Sequence, residues 1–187
     1  MTGCESRPHE ERAEPAATAQ RLDGVRFEFR VASSAWLTSD RWAKKDMGYT
    51  LQAVIGDEND LKAHAPRDAP FVRLPQAKAL IPLGSALRER VDFPFLEFGH
   101  SAEALDAASA FVAVFKKKVA YVEAEFFGGA GGQSAAVWED GRLLLGPLID
   151  ESAINQALRA LGVAKKEAAD EFDALNLGRH RDTEDWK

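Results

Sequence analysis

The chain has 187 residues, is 45% hydrophobic and 29% charged, and carries 14 glycines and 8 prolines, an ordinary globular composition. Its 24 basic and 30 acidic residues leave a net charge of −6, which argues against a uniformly basic nucleic-acid binder. No apolar run approaches the roughly 20 residues of a membrane-spanning helix.

Charge divides the chain. Residues 1–46 hold eight basic and eight acidic residues, so the whole net charge of −6 falls in residues 47–187. The first twenty residues lack an apolar period and read as disordered. Val25, Phe27, Phe29 and Val31 then alternate with charged residues, the pattern of a half-buried edge strand. The single cysteine, Cys4, excludes an internal disulfide framework. Thr2-Gly3-Cys4 resembles the end of a lipoprotein cleavage site, but no charged and apolar leader precedes it. A cytoplasmic protein is expected, with an extension over 1–46 and an acidic domain over 47–187.

From Met47 the elements follow closely. Tyr49 to Ile55 reads as a strand, and Asp60 to His64 as one helical turn before Pro66. Phe71–Leu74 and Ala79–Leu83 are short extended pieces that Pro75 and Pro82 confine to edges or irregular backbone. Ser85 is placed to cap a helix over 86–91. Ser101 is placed to cap a longer one in which Leu105, Ala108, Val112 and Phe115 repeat, with Lys116–Lys118 complementing its negative end. Tyr121 to Phe127 is a strand by alternation. Asp140-Gly141 supplies the positive φ angles of a type I′ turn, so residues 134–146 form a hairpin. Asp150 is placed to cap a helix that buries Ile154, Leu158 and Leu161 and stops at Gly162. A last helix is expected over about Lys165–Leu175. Irregular alternation of strands and helices predicts a single α+β domain, with a mainly antiparallel sheet and helices packed on one face.

Candidate chemistry concentrates in three places. Glu123 and Glu125 share one face of their strand about 7 Å apart, a spacing open to general acid/base work or a hard cation, or simply to solvent. Gly128, Gly129, Gly131, Gly132 and Gln133 could bring bare N–H groups to a ligand. However, no Lys-Ser/Thr follows and the next element reads as strand, so a tight hairpin connection is the simpler reading. Arg179, His180 and Arg181 could hold a carboxylate or phosphate, or be neutralised by Asp182, Glu184 and Asp185 in a tail pinned by Trp186. Asn155 offers a further polar group on the helix after the hairpin. Ser134 misses the glycine of a nucleophile elbow, His64, His100 and His180 are scattered, and no metal-ligand spacing is present, so no catalytic set, metal or cofactor is expected.

The segments Met47-Gly-Tyr-Thr-Leu-Gln-Ala-Val-Ile-Gly56, Tyr121-Val-Glu-Ala-Glu-Phe-Phe-Gly-Gly129, Ile154-Asn-Gln-Ala-Leu-Arg159 and Leu177-Gly-Arg-His-Arg-Asp-Thr-Glu-Asp-Trp186 resemble a group of small bacterial proteins without assigned activity. That resemblance spans Met47 to the C-terminus and implies no chemistry. Small, acidic α+β immunity proteins of bacterial toxin systems are an architectural analogy. The expected function is a non-catalytic domain that engages a protein partner through an acidic surface, with no nucleic acid and no membrane. The alternative is a small enzyme or ligand-binding protein using Glu123, Glu125 and the glycine segment.

Overall fold

The computed structural model describes residues 48–94 and 101–187. They belong to one compact unit. The expectations for 1–20, 25–31 and the 1–46 boundary fall outside the described residues.

The sheet grows from strand β1, Tyr49–Asp57. Strand β4, Val119–Phe127, pairs with it along nearly its whole length, from Tyr49↔Phe126 to Gly56↔Val119. On its other side β3, Lys78–Pro82, covers only Ala53 to Asp57. Strands β2 (Val72–Leu74), β5 (Ala130–Glu139) and β6 (Arg142–Ile149) complete a six-stranded sheet in the order β2-β3-β1-β4-β5-β6, every neighbouring pair antiparallel. No helix among the described residues is long and apolar enough to cross a membrane.

The α+β class and the antiparallel sheet with its hairpin are as expected, but the helices cover both faces. Helix α4 (Ala153–Ala160), the short α5 (Glu171–Ala174), Leu177 and Trp186 pack on the face formed by Leu51, Ala53, Val122, Ala124 and Val137. On the opposite face Leu61 of α1 (Glu58–His64), Leu87 of α2 (Ser85–Val91) and Ala108 and Val112 of α3 (Ala102–Val112) meet Val54, Tyr121, Ala136 and Trp138. The cause is in the strands. Ala53-Val54-Ile55 and Ala135-Ala136-Val137-Trp138 are continuous apolar runs, and a strand apolar on both sides is buried on both sides.

Local chemistry set most boundaries. Gly128 (φ 59°) and Gly129 (φ 85°) form the two-residue turn between β4 and β5, and Asp140 (φ 48°) with Gly141 (φ 73°) forms the type I′ turn between β5 and β6. Ser101 accepts a bond from the Ala104 N–H as expected. Ser85 is instead the first residue of α2, and its N–H donates to the Glu184 carboxylate from the chain's end (2.6 Å). Asp150 acts one step early, binding the Ser152 N–H, while Ser152 takes the cap position of α4. Gly162 closes α4 with φ 80° and the Val163 N–H on the Leu158 carbonyl.

Two expectations are corrected. The lysine triplet lies beyond the end of α3, and Asp60 holds its backbone through the Lys116 and Lys117 N–H groups (3.0 and 2.9 Å), while Lys117 Nζ pairs with Asp57 (3.0 Å). Residues 165–170 are turns, because Lys166 takes φ 51° and only 171–174 complete a helix, capped by the Asp170 carboxylate.

Gln76 (φ 60°) and Ala77 (φ 54°) sit together in the left-handed region between β2 and β3, where a Cβ is unfavourable. The Gln76 amide holds this turn by exchanging two hydrogen bonds with the Ala164 backbone (2.8 and 3.0 Å). Ala77→Gly is expected to raise the stability by about 1 kcal/mol, strain relief outweighing the added unfolded-state freedom. Chemical denaturation with an unchanged m-value would verify this; a loss of stability would show the turn to be unstrained.

Candidate functional site

Register places Gln52, Glu123 and Ser134 side by side on three adjacent strands, all buried. Tyr121, one turn of the pleat away on the same strand, donates its hydroxyl to Glu123 Oε1. Gln52 Nε2 donates to the Tyr121 hydroxyl (2.6 Å), the Pro94 carbonyl (2.8 Å) and Glu123 Oε1 (3.3 Å), and Ser134 Oγ donates to Glu123 Oε2 (3.3 Å). Burial pushes the Tyr121 phenol well above its usual range. The charge and hydrogen bond of Glu123 add to this, outweighing Gln52 and Arg88. Gln52 Oε1 is buried without a hydrogen-bond partner.

The expected acidic pair is therefore split. Glu123 belongs to this closed network, whereas Glu125, two residues on and facing the same way, is exposed. The glycine segment is a hairpin end. Gly131 pairs with Phe126 and Gly132 with Glu125, and a Cβ on Gly131 (φ 156°) would collide with the Glu125 carbonyl oxygen. Gln133 turns to the other face, where its side chain accepts from the Ile154 N–H (3.0 Å) and donates to the Glu151 carbonyl (2.6 Å), fixing the start of α4. Asn155 accepts from the Phe172 N–H (2.9 Å) and so orients α5. Gln133 and Asn155 thus serve helix termini.

The tail completes the sheet. Where β3 stops short, the Thr50 N–H donates to the Arg181 carbonyl (2.8 Å) and the Gln52 N–H to Thr183 Oγ1 (2.9 Å). The Arg179 guanidinium stacks over the buried Trp186 ring at 4.5 Å, and His180 meets that ring edge-on at 4.8 Å. Asp182 and Glu184 are spent on backbone N–H groups of the tail's 3-10 turn and of α2. The tail is pinned through Trp186 as expected, and ring stacking and backbone capture add to its hold.

Sequence reasoning missed Gln52, Tyr121 and Ser134 as partners of Glu123. A glutamine inside the apolar run Tyr49–Ile55 was the available signal, since a buried amide needs company. It also missed the exposed apolar side chains Phe127 (77%), Leu143 (46%), Leu144 (49%) and Ile149 (45%). No group of three metal-ligating side chains occurs among the described residues. No family model, curated protein or solved structure matches the chain.

Proposed function

We propose that this chain is a non-catalytic protein-binding domain, immunity-like in its mode of action, that engages a protein partner through an acidic surface. The observation that supports it is the surface around β6. Leu143, Leu144 and Ile149 stand nearly half exposed there, between the exposed acidic pairs Glu139-Asp140 and Asp150-Glu151. Apolar surface rimmed by charge is the usual composition of an interaction patch. The charge speeds encounter with a basic partner, and the apolar centre supplies affinity. The test is quantitative binding to a captured and purified partner. Asp150→Lys with Glu151→Lys is expected to slow association about tenfold or more at low salt, with the parent's own rate falling steeply as salt rises. Equal rates for parent and double variant would end this reading.

A second reading, a small-ligand or catalytic site at Glu123, is favoured by one observation, the buried Gln52 Oε1 that lacks a donor. It requires a ligand that raises the melting temperature of the parent and not that of Glu123→Gln. Identical responses of both proteins across a panel of small polar compounds would remove it.

A further inference from the structure

The sheet face that carries the Glu123 network passes from covered to open in successive rows. Register puts Val54, Tyr121 and Ala136 side by side, then Gln52, Glu123 and Ser134, then Thr50, Glu125 and Gly132. The first two rows are buried, whereas Glu125 and Gly132 are exposed, as is Phe127 beyond them. Gly132 turns the third row into a trough. A Cβ built on it meets no described residue within 4 Å, and its backbone lies outside the left-handed region. Open space, not conformation, distinguishes this glycine.

The trough leads to acceptors. Glu125 stands at its rim, Glu123 and Ser134 at its inner end are each 5% exposed, and Gln52 Oε1 is buried without a hydrogen-bond partner. That oxygen belongs to the amide whose nitrogen lies 3.3 Å from Glu123 Oε1, so it is part of the same cluster. The Ser134 hydroxyl meets Glu123 Oε2 at 3.3 Å, long for an O–H···O bond, and a charged donor would displace it. Arg88 acts on Tyr121, one row further in, and leaves the rim acidic. Two carboxylates, an amide oxygen and a hydroxyl suit a compact cation with several N–H donors, and a primary ammonium has three.

We propose that this trough binds a linear aliphatic diamine. One ammonium sits on Glu123, with Ser134 Oγ and Gln52 Oε1 as its other acceptors. The methylene chain crosses Gly132, and the second ammonium pairs with Glu125. This inference rests on the small-ligand reading of the Glu123 site. Alternate residues of a strand lie about 7 Å apart, a distance that a chain of about five carbons spans.

The test is calorimetry and thermal melting of the full chain at low salt with cadaverine, pentylamine and pentanediol, which share one chain length. Cadaverine is expected to bind in the millimolar range and to raise the melting temperature as its concentration rises. Pentylamine, lacking the charge for Glu125, should bind about threefold more weakly, and pentanediol should not bind. Gly132→Val fills the trough and should weaken cadaverine about tenfold or more, while the unliganded variant melts like the parent. Glu125→Gln, an exposed change that the fold tolerates, should reduce cadaverine to the affinity of pentylamine and leave pentylamine within about twofold. Unaltered binding by Gly132→Val, equal binding of pentanediol, or a preference for cadaverine that survives Glu125→Gln would overturn the diamine site. No response to millimolar cadaverine would overturn it too. If the amines fail while another small polar compound stabilises the parent and not Glu123→Gln, a ligand site at Glu123 stands and only its chemistry falls. If no compound separates those two proteins, both fall.

Discussion

Replacing Trp186 by alanine is expected to cost about 3–5 kcal/mol, the range for removing a large aromatic from a packed core. The indole is 2% exposed and belongs to the cluster of Tyr49, Leu51, Leu175 and Leu177, with Arg179 stacked above it. For a domain of this size the loss corresponds to roughly 6–20 °C in melting temperature. Deleting residues 182–187 is expected to do more. Besides the tryptophan it removes the Thr183 acceptor of the Gln52 N–H, a buried donor on the central strand, and the Glu184 carboxylate at the start of α2. Stranding a buried donor adds about 1–3 kcal/mol, bringing the total close to the whole stability of an ordinary domain. The shortened chain should therefore fail to give a cooperative melt. Trp186→Phe separates packing from polarity, because the indole N–H is buried without an acceptor and its removal offsets part of the lost area. That variant should lie within about 1.5 kcal/mol of the parent. Equal damage from Trp186→Phe and Trp186→Ala would mean that ring shape is not what anchors the tail.

What the sequence made legible were features whose cause is local. Asp140-Gly141 and Gly128-Gly129 needed only the positive φ that glycine tolerates, and the stop at Gly162 needed only its C′ geometry. The α+β class followed from the order of elements. The rest depended on contacts far apart in sequence. Nothing near Ser85 reveals that a carboxylate 99 residues away caps its helix, and nothing near Thr183 reveals a strand whose neighbour stops early. Lys165 to Asp170 contain good helix formers, yet no apolar stripe exists to dock such a helix, so turns prevail. Alternation placed Glu123 and Glu125 correctly on one face. It could not say that the cover over that face ends between them, which leaves one carboxylate in a closed network and the other in water.

Raising the pH beyond about 10 is expected to unfold the protein, with both tyrosines titrating in the same transition. Tyr49 and Tyr121 are the only tyrosines in the chain, and both are buried. The Tyr49 hydroxyl donates to the Leu177 carbonyl (3.2 Å). Burial raises its phenol far above the ordinary value, with Arg181 only partly opposing this. Tyr121 is raised by burial and then by Glu123, which accepts its proton in a hydrogen bond. In both cases the folded state holds the proton more tightly than the unfolded chain, whose phenols ionise near 10. Stability from this source is thus fully present below about pH 10 and is lost as the pH climbs towards the folded values, by about 1.4 kcal/mol per pH unit for each tyrosine. Two units of pH acting on two phenols amount to about 5 kcal/mol, within the range of a whole domain's stability. Tyrosinate absorbance and far-ultraviolet circular dichroism should therefore change together, in one steep step well above pH 10. Tyr49→Phe should roughly halve the pH slope, because one of the two linked protons is gone. Tyrosinate forming near pH 10 while the circular dichroism stays native would show that at least one phenol is open to water, and would contradict the closed Gln52–Tyr121–Glu123 network or the tail packing over Tyr49.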